Sequence, residues 1–113
     1  MNILLVEDDV DCLQALQALV ESLDHSCIIA DDPRAALAQY ALHSFDVVIT
    51  DFRMPAMSGK ELASKIRATN PRAKIILITG YSPIEELLSE SLYDAVLEKP
   101  VNILELKSIL DNL

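Results

Sequence analysis

Residues 1–10 read MNILLVEDDV, in which an uninterrupted apolar run, residues 3–6, is followed directly by three acidic residues. The run does not alternate with polar residues, and such runs are typical of strands covered on both faces of a parallel sheet, although a run alone does not exclude a buried helix. Glu7, Asp8 and Asp9 carry like charges side by side, and such charges repel one another unless a cation lies among them. The stretch therefore predicts a buried parallel strand that ends at a cation site.

Four further apolar runs follow along the chain, at residues 27–30, 47–50, 75–79 and 95–97. Between the run at residues 3–6 and the run at residues 27–30, apolar residues recur at helical spacing from Leu13 to Leu23. Helix-start signals precede the later segments: Asp32-Pro33, Ser58-Gly59-Lys60-Glu61, Ser82-Pro83-Ile84-Glu85 and Asn102-Ile103-Leu104-Glu105. Five strands thus alternate with five helices, which predicts an α/β fold with a doubly wound parallel sheet.

Composition limits the partners of the chain. Its 113 residues suit a single domain, and 18 acidic against 9 basic residues give a net charge of -9. Such a charge disfavours direct binding to nucleic acid or to an anionic membrane. Cys12 and Cys27 form no metal or disulfide motif, and no apolar run reaches the roughly 20 residues of a membrane span. We therefore expect an intracellular protein that does not enter the membrane.

The polar residues that follow the predicted strands all fall at carboxyl ends. The acidic trio follows the first strand, Asp51 the third, Thr79 ends the fourth and Lys99 follows the fifth. In an open α/β sheet ligands bind at this edge, and with a strand order of 2-1-3-4-5 the switch point lies between strands one and three. The acids would therefore face Asp51 there. Carboxylate oxygens without His or Cys favour Mg²⁺.

Glycine-rich phosphate loops are missing. The chain has only Gly59 and Gly80, so neither a dinucleotide fingerprint nor a P-loop is present. A carboxylate, a divalent ion, a hydroxyl and an ammonium would still converge at one edge of the sheet. These groups suit phosphoryl transfer onto the carboxylate itself.

Four motifs, in this order and at suitable spacing, resemble the receiver domain of bacterial two-component response regulators, the CheY-like family. They read LLVEDD, DVVITDFRMPAMSG, IILITG and LEKP. The resemblance implies one receiver domain over residues 1–113, with a flavodoxin-like, CheY-like (βα)5 sheet of order 2-1-3-4-5. It also implies a cytoplasmic phosphorelay protein that a histidine kinase or phosphotransfer protein phosphorylates. No enzymatic activity is expected beyond phosphorylation and dephosphorylation of the chain itself.

The same resemblance assigns the metal site. Asp51 corresponds to the phosphoacceptor, and Asp8 and Asp9 to the acidic pair that holds Mg²⁺. Asp51 itself and the main-chain carbonyl of Arg53 would complete the protein ligands of the ion.

The resemblance also assigns the groups that contact the phosphoryl group and transmit its presence. Thr79 corresponds to the hydroxyl that follows the phosphoryl group, Lys99 to the ammonium that pairs with it, and Pro100 to a proline after a cis peptide bond. Val96 stands where the family usually has an aromatic switch residue, so we expect Tyr81 to be the mobile side chain instead. The face formed by the fourth helix, fifth strand and fifth helix would then contact a partner or a second copy of the chain.

Three alternative functions make different predictions. A phosphohydrolase of the haloacid dehalogenase type needs a second acid two residues after the nucleophile, where this chain has Arg53. A flavin carrier needs a hydroxyl-rich loop after the first strand, where this chain is acidic. A degenerate receiver that serves only protein contacts would not keep the whole set of acids, hydroxyl and lysine.

Overall fold

A computed structural model describes residues 1–80 and 91–113 of the chain, in which five strands form one parallel sheet. The strands are β1 (Asn2–Val6), β2 (Ser26–Ala30), β3 (Val47–Asp51), β4 (Ile75–Thr79) and β5 (Ala95–Glu98). They lie in the order β2-β1-β3-β4-β5. This order confirms the predicted doubly wound sheet, and each strand begins and ends within one residue of its predicted apolar run.

Four helices lie within the described residues: α1 (Val10–Ser22), α2 (Pro33–Leu42) and α3 (Gly59–Thr69) between strands, and α4 (Ile103–Asp111) after β5. Each begins after a side chain that accepts hydrogen bonds from its first turn: Asp9, Asp32, Ser58 and Asn102. The helix predicted after Ser82, and Tyr81 with it, lie outside the described residues. None of the described helices is long and apolar enough to cross a membrane.

The sheet carries one apolar core on each face, because successive side chains of a strand point to opposite sides. On the α1 and α4 side the core contains Ile3, Leu5, Val47, Ile49, Ile76 and Ile78 from the strands. On the α2 and α3 side it contains Leu4, Val6, Val48 and Ile75. The side chains of β3 and β4 are buried on both faces, as expected for central parallel strands.

Strand β2 departs from that expectation. Its apolar run predicts cover on both faces, yet it lies at the edge of the sheet and Ile29 is 43% exposed. The run of Cys27, Ile28 and Ile29 identifies a strand, but it does not indicate how completely helices cover it.

The parallel register brings the carboxyl ends of the strands to one edge. Val6 lies opposite Thr50, Asp51 opposite Ile78, and Thr79 opposite Glu98. The residues at and just beyond these ends therefore gather at the same edge, as the sequence predicts.

Candidate functional site

Asp51 is the last residue of β3 and is only 8% exposed. Its Oδ1 accepts a hydrogen bond of 2.9 Å from the main-chain N–H of Phe52. The Lys99 ammonium lies 3.3 Å from the same oxygen. A carboxylate held in this way, at the end of a central strand, has a fixed orientation rather than that of a mobile surface acid.

Lys99 reaches the site from the residue after β5. Its Nζ lies 3.1 Å from Glu7 Oε1, in addition to its contact with Asp51, so Lys99 forms ion pairs with both carboxylates. The peptide bond between Lys99 and Pro100 is cis, which confirms that prediction. Burial alone would lower the pKa of Lys99, but the hydrogen bond to Glu7 and the charges of the two carboxylates outweigh burial and raise it. The ammonium therefore remains charged at neutral pH.

Glu7 follows β1 directly and continues its hydrogen bonding, since its N–H donates to the carbonyl of Ala30 at 3.1 Å. It is only 3% exposed. Burial, together with the neighbouring carboxylate of Asp51, raises the pKa of Glu7 from 4.5 to about 7, despite the opposing effect of Lys99. Its second oxygen, Oε2, is buried and has no hydrogen-bond partner among residues 1–80 and 91–113. A buried carboxylate oxygen without a donor is costly unless another group satisfies it.

Carboxylate oxygens of Glu7, Asp8 and Asp51 lie within 4.8 Å of one another. Because three acidic groups converge near one ammonium, the cluster carries excess negative charge when ionised. Glu7, whose Oε2 is buried, is one of these three residues. These hard oxygen donors, with no nitrogen or sulfur ligand in the cluster, fit a small divalent cation such as Mg²⁺.

The structure does not bring Asp9 into this cluster. Asp9 is exposed, and its Oδ1 accepts a 3.1 Å hydrogen bond from the N–H of Cys12, so that it caps α1. The structure thus groups Glu7, rather than Asp9, with Asp8 and Asp51. The alternation of side chains along β1 could have identified Glu7 from the sequence. Glu7 has the same parity as Ile3 and Leu5, so its side chain points to the face of the sheet that also carries Asp51.

The remaining predicted residues lie at the same edge. Thr79 ends β4, one residue past the register partner of Asp51, and is 1% exposed. Its carbonyl accepts a 2.9 Å hydrogen bond from the N–H of Lys99, which ties the ends of β4 and β5 together. Arg53 lies in the loop after β3, and the role of its carbonyl as a metal ligand stays a prediction.

Val96 occupies a position surrounded by other apolar side chains. It is buried with Leu77, and Phe52 and Tyr93 pack against this pair. The small side chain of Val96 thus lies beside two aromatic residues from other segments. Phe52 is notable among them, since its own N–H contacts the carboxylate of Asp51.

A cavity of about 400 Å³ adjoins the charged groups. Its wall includes Glu7, Asp51 and Lys99 at one end and apolar side chains such as Leu16 and Leu19 of α1 at the other. An apolar wall strengthens the interactions among the charges, because it provides less screening than water.

Comparison with known proteins gives one consistent result. The family model described as response regulator receiver domain matches residues 3–111. The transcriptional regulatory protein ZraR of Escherichia coli (strain K12) is 32% identical over 114 residues, which cover 98% of this chain and 26% of that protein. The response regulator protein FleR of Pseudomonas aeruginosa is 31% identical over 110 residues, covering 97% of this chain and 23% of FleR. This chain therefore spans about a quarter of the length of these curated relatives.

A solved structure of the response regulator protein TrrA from Thermotoga maritima, in complex with Mg²⁺ and BeF, is similar throughout. It superposes with a TM-score of 0.91 at 32% identity, covering 98% of this chain and 96% of that one. The similarity thus extends over both the sheet and the acidic edge.

Proposed function

This chain belongs to the response regulator receiver domain family of two-component systems, and we propose that Asp51 is its phosphoacceptor, phosphorylated by a histidine kinase or a phosphotransfer protein. The observation that carries the proposal is the buried carboxylate of Asp51, which Lys99 contacts at 3.3 Å and which shares an acidic cluster with Glu7 and Asp8. A charged nucleophile, a fixed cation and a candidate metal site at one strand edge are the groups that phosphoryl transfer requires.

The transfer itself involves one bond formed and one broken. A carboxylate oxygen of Asp51 attacks the phosphorus, and the bond between phosphorus and the donor's imidazole nitrogen breaks, with its electron pair leaving on the nitrogen. Lys99 pairs with the negative charge of the transferred group, and the hydroxyl of Thr79 donates a hydrogen bond to it. Later, water attacks the phosphorus and the bond to the Asp51 oxygen breaks, which restores the carboxylate and releases inorganic phosphate.

Glu7, Asp8 and Asp51 would hold the Mg²⁺ ion, with the main-chain carbonyl of Arg53 as a further ligand. When bound, the ion neutralises charge on the carboxylates and on the transferred phosphoryl oxygens. Glu7 Oε2 supports this assignment, since it is a buried acceptor that lacks a hydrogen-bond partner.

We further propose that residues 1–113 form one cytoplasmic receiver domain that turns over no external substrate. Its phosphorylated form would present the face around β5 and α4 to a partner protein or to a second copy of the chain. The net charge of -9 supports a protein partner over direct binding to nucleic acid.

Incubation with acetyl phosphate and Mg²⁺, followed by intact mass measurement, tests the assignment of Asp51. The wild type should gain the mass of one phosphoryl group, and Asp51→Asn should gain none. Asp46 offers a matched control just before β3, where its Oδ2 accepts a 2.7 Å hydrogen bond from the N–H of Asn2. Asp46→Asn should be phosphorylated like the wild type. Unchanged mass for the wild type, or an undiminished gain for Asp51→Asn, would contradict the proposal.

A further inference from the structure

Thr50 is a fully buried polar residue directly before Asp51. It is 0% exposed, and its neighbours across the sheet are Val6 of β1 and Leu77 of β4. Thr50 points to the α2 and α3 side of the sheet, opposite to Asp51, because side chains alternate along β3. Its surroundings on that face are otherwise apolar.

The hydroxyl of Thr50 therefore requires an explanation. Valine has nearly the same shape, is an equally good strand residue, and would be buried here without the cost of removing a hydroxyl from water. That hydroxyl donates a 3.0 Å hydrogen bond to the main-chain carbonyl of Asp51. The contact is made to the backbone of the phosphoacceptor itself.

This carbonyl and the N–H of Phe52 belong to the same rigid peptide plane. The N–H donates to Asp51 Oδ1 at 2.9 Å and to the carbonyl of Ile78 at 2.9 Å. If the plane rotated, its N–H would move relative to the Asp51 carboxylate. A contact that holds the carbonyl end of the plane therefore also sets the position of the donor at the other end.

Gly59, the first residue of α3, holds the same plane from the helix side. A Cβ on Gly59 would overlap the carbonyl oxygen of Asp51, and would lie 3.0 Å from the Cα of Phe52. The N–H of Gly59 donates a 2.8 Å hydrogen bond to the carbonyl of Phe52. The absence of a side chain thus lets the start of α3 lie directly against this peptide plane.

From these contacts we propose that Thr50 is a positioning residue for phosphoryl transfer. Its hydroxyl, together with the close approach of Gly59, fixes the peptide plane between Asp51 and Phe52, and through the Phe52 N–H it fixes the rotation of the Asp51 carboxylate. This inference rests on the proposed role of Asp51 and adds a determinant of the rate of transfer that lies on the opposite face of the sheet.

Replacement of the hydroxyl by a methyl group tests the proposal. In Thr50→Val the maximal rate of phosphorylation by acetyl phosphate should fall about fivefold to tenfold, the effect of one net hydrogen bond lost from the reacting arrangement. The Mg²⁺ concentration that gives half the maximal rate should stay the same, and the unfolding midpoint should change little. Thr50→Ser keeps the hydroxyl and should restore most of the rate.

The possible results separate this inference from the proposed function. A wild type that is phosphorylated, a slow Thr50→Val and a restored Thr50→Ser would support the positioning role. Equal rates for wild type and Thr50→Val, or a Thr50→Ser as slow as Thr50→Val, would overturn the role of the hydroxyl while Asp51 remained the phosphoacceptor. A wild type that takes up no phosphoryl group would overturn both.

Discussion

Two clusters of charged residues lie at opposite ends of the sheet, and they are organised differently. At the carboxyl ends of the strands, Lys99 contacts Glu7 at 3.1 Å and Asp51 at 3.3 Å. At the amino ends of β4 and β5, Arg67 of α3 pairs with Asp94 at 3.0 Å. Each cluster joins segments distant in sequence, but only the first carries excess acid.

In the cluster around Arg67, each charged group contacts several partners. The guanidinium donates to the carbonyls of Leu92 and Ala73, both at 2.7 Å, besides Asp94. Asp94 in turn accepts a 2.8 Å hydrogen bond from the N–H of Ile75. One cation and one anion thus satisfy each other and the backbone around them, which is the arrangement of a structural ion pair.

In the cluster around Lys99, by contrast, the acidic groups outnumber the ammonium that they contact. Glu7, Asp8 and Asp51 bring three carboxylates together, and within the part of the chain that the structure describes the buried Glu7 Oε2 has no hydrogen-bond partner. Such an arrangement reduces the stability of the protein alone and increases its affinity for a cation. The comparison therefore distinguishes a cluster whose charges balance from one that carries the excess negative charge expected of the proposed Mg²⁺ site.

The largest effect on stability is expected at the cluster around Arg67. Arg67→Met should reduce the free energy of unfolding by roughly 3 to 5 kcal/mol, because it leaves Asp94 without its main partner and removes a donor from the carbonyls of Leu92 and Ala73. Lys74 is a matched control, since it lies 3.9 Å from Asp94 and its side chain is 48% exposed. Lys74→Met should change the free energy by less than about 1 kcal/mol. Urea unfolding of both variants measures the difference, and equal losses would contradict the comparison.

The cluster around Lys99 should make the metal-free protein less stable as pH rises. Folding raises the pKa of Glu7 from 4.5 to about 7, so between these values the native state binds more protons than the unfolded state. The contribution of Glu7 is then fully present below pH 4.5 and is lost as pH rises to about 7. The loss amounts to about 3 kcal/mol at most.

Urea unfolding in the presence of a chelator across this pH range measures the effect. Glu7→Gln should remove most of the decline, because its amide does not titrate. Glu21→Gln, an exposed change on α1, should leave the decline as it is in the wild type. A free energy of unfolding that rises with pH in the wild type over this window would contradict the role of Glu7.

Mg²⁺ should offset the loss of stability that the cluster around Lys99 causes. A ligand that binds only the folded state at a hundred times its dissociation constant adds about 2.7 kcal/mol to the free energy of unfolding. Asp8→Asn should lose this gain. Asp9→Asn should keep it, because asparagine caps a helix as well as aspartate does and Asp9 lies outside the carboxylate cluster.

Thermal unfolding of the two variants with and without Mg²⁺ decides between the two readings of the acidic pair. A gain that disappears in Asp9→Asn and survives in Asp8→Asn would restore the pair predicted from the sequence alone.

The strands and the helix starts could be predicted because they depend on local patterns, whereas the strand order followed from the resemblance to the receiver family. Asp32, Ser58 and Asn102 each accept hydrogen bonds from the first turn of the helix that follows, as their positions predict. For the acidic site the sequence predicts Asp8 and Asp9, whereas the structure groups Glu7 and Asp8 with Asp51. An acid directly after a strand is typical of either a metal ligand or a helix cap. The structure shows that Asp9 caps α1.

Other features depend on contacts that no local pattern specifies. The pairing of Arg67 with Asp94 joins residues 27 positions apart, and the sequence around each resembles that of any exposed charge. The close approach of Gly59 to Asp51 is similarly hidden, because a glycine after a serine also fits the helix start that was predicted. Such tertiary contacts become visible only when the packing of α3 on the sheet is known.

The smallest effect on stability is expected for the ion pair with the shortest distance. Lys107 and Asp111 lie one turn apart on α4 at 2.7 Å, closer than any ion pair discussed above, but their side chains are 57% and 56% exposed. Water screens such a pair and its side chains lose entropy on pairing, so Lys107→Met should change the free energy of unfolding by only about 0.3 to 0.5 kcal/mol. Urea unfolding at low and high salt provides the measurement. A loss comparable to that of Arg67→Met would show that distance, rather than burial and the number of partners, determines the stabilisation by charged clusters in this fold.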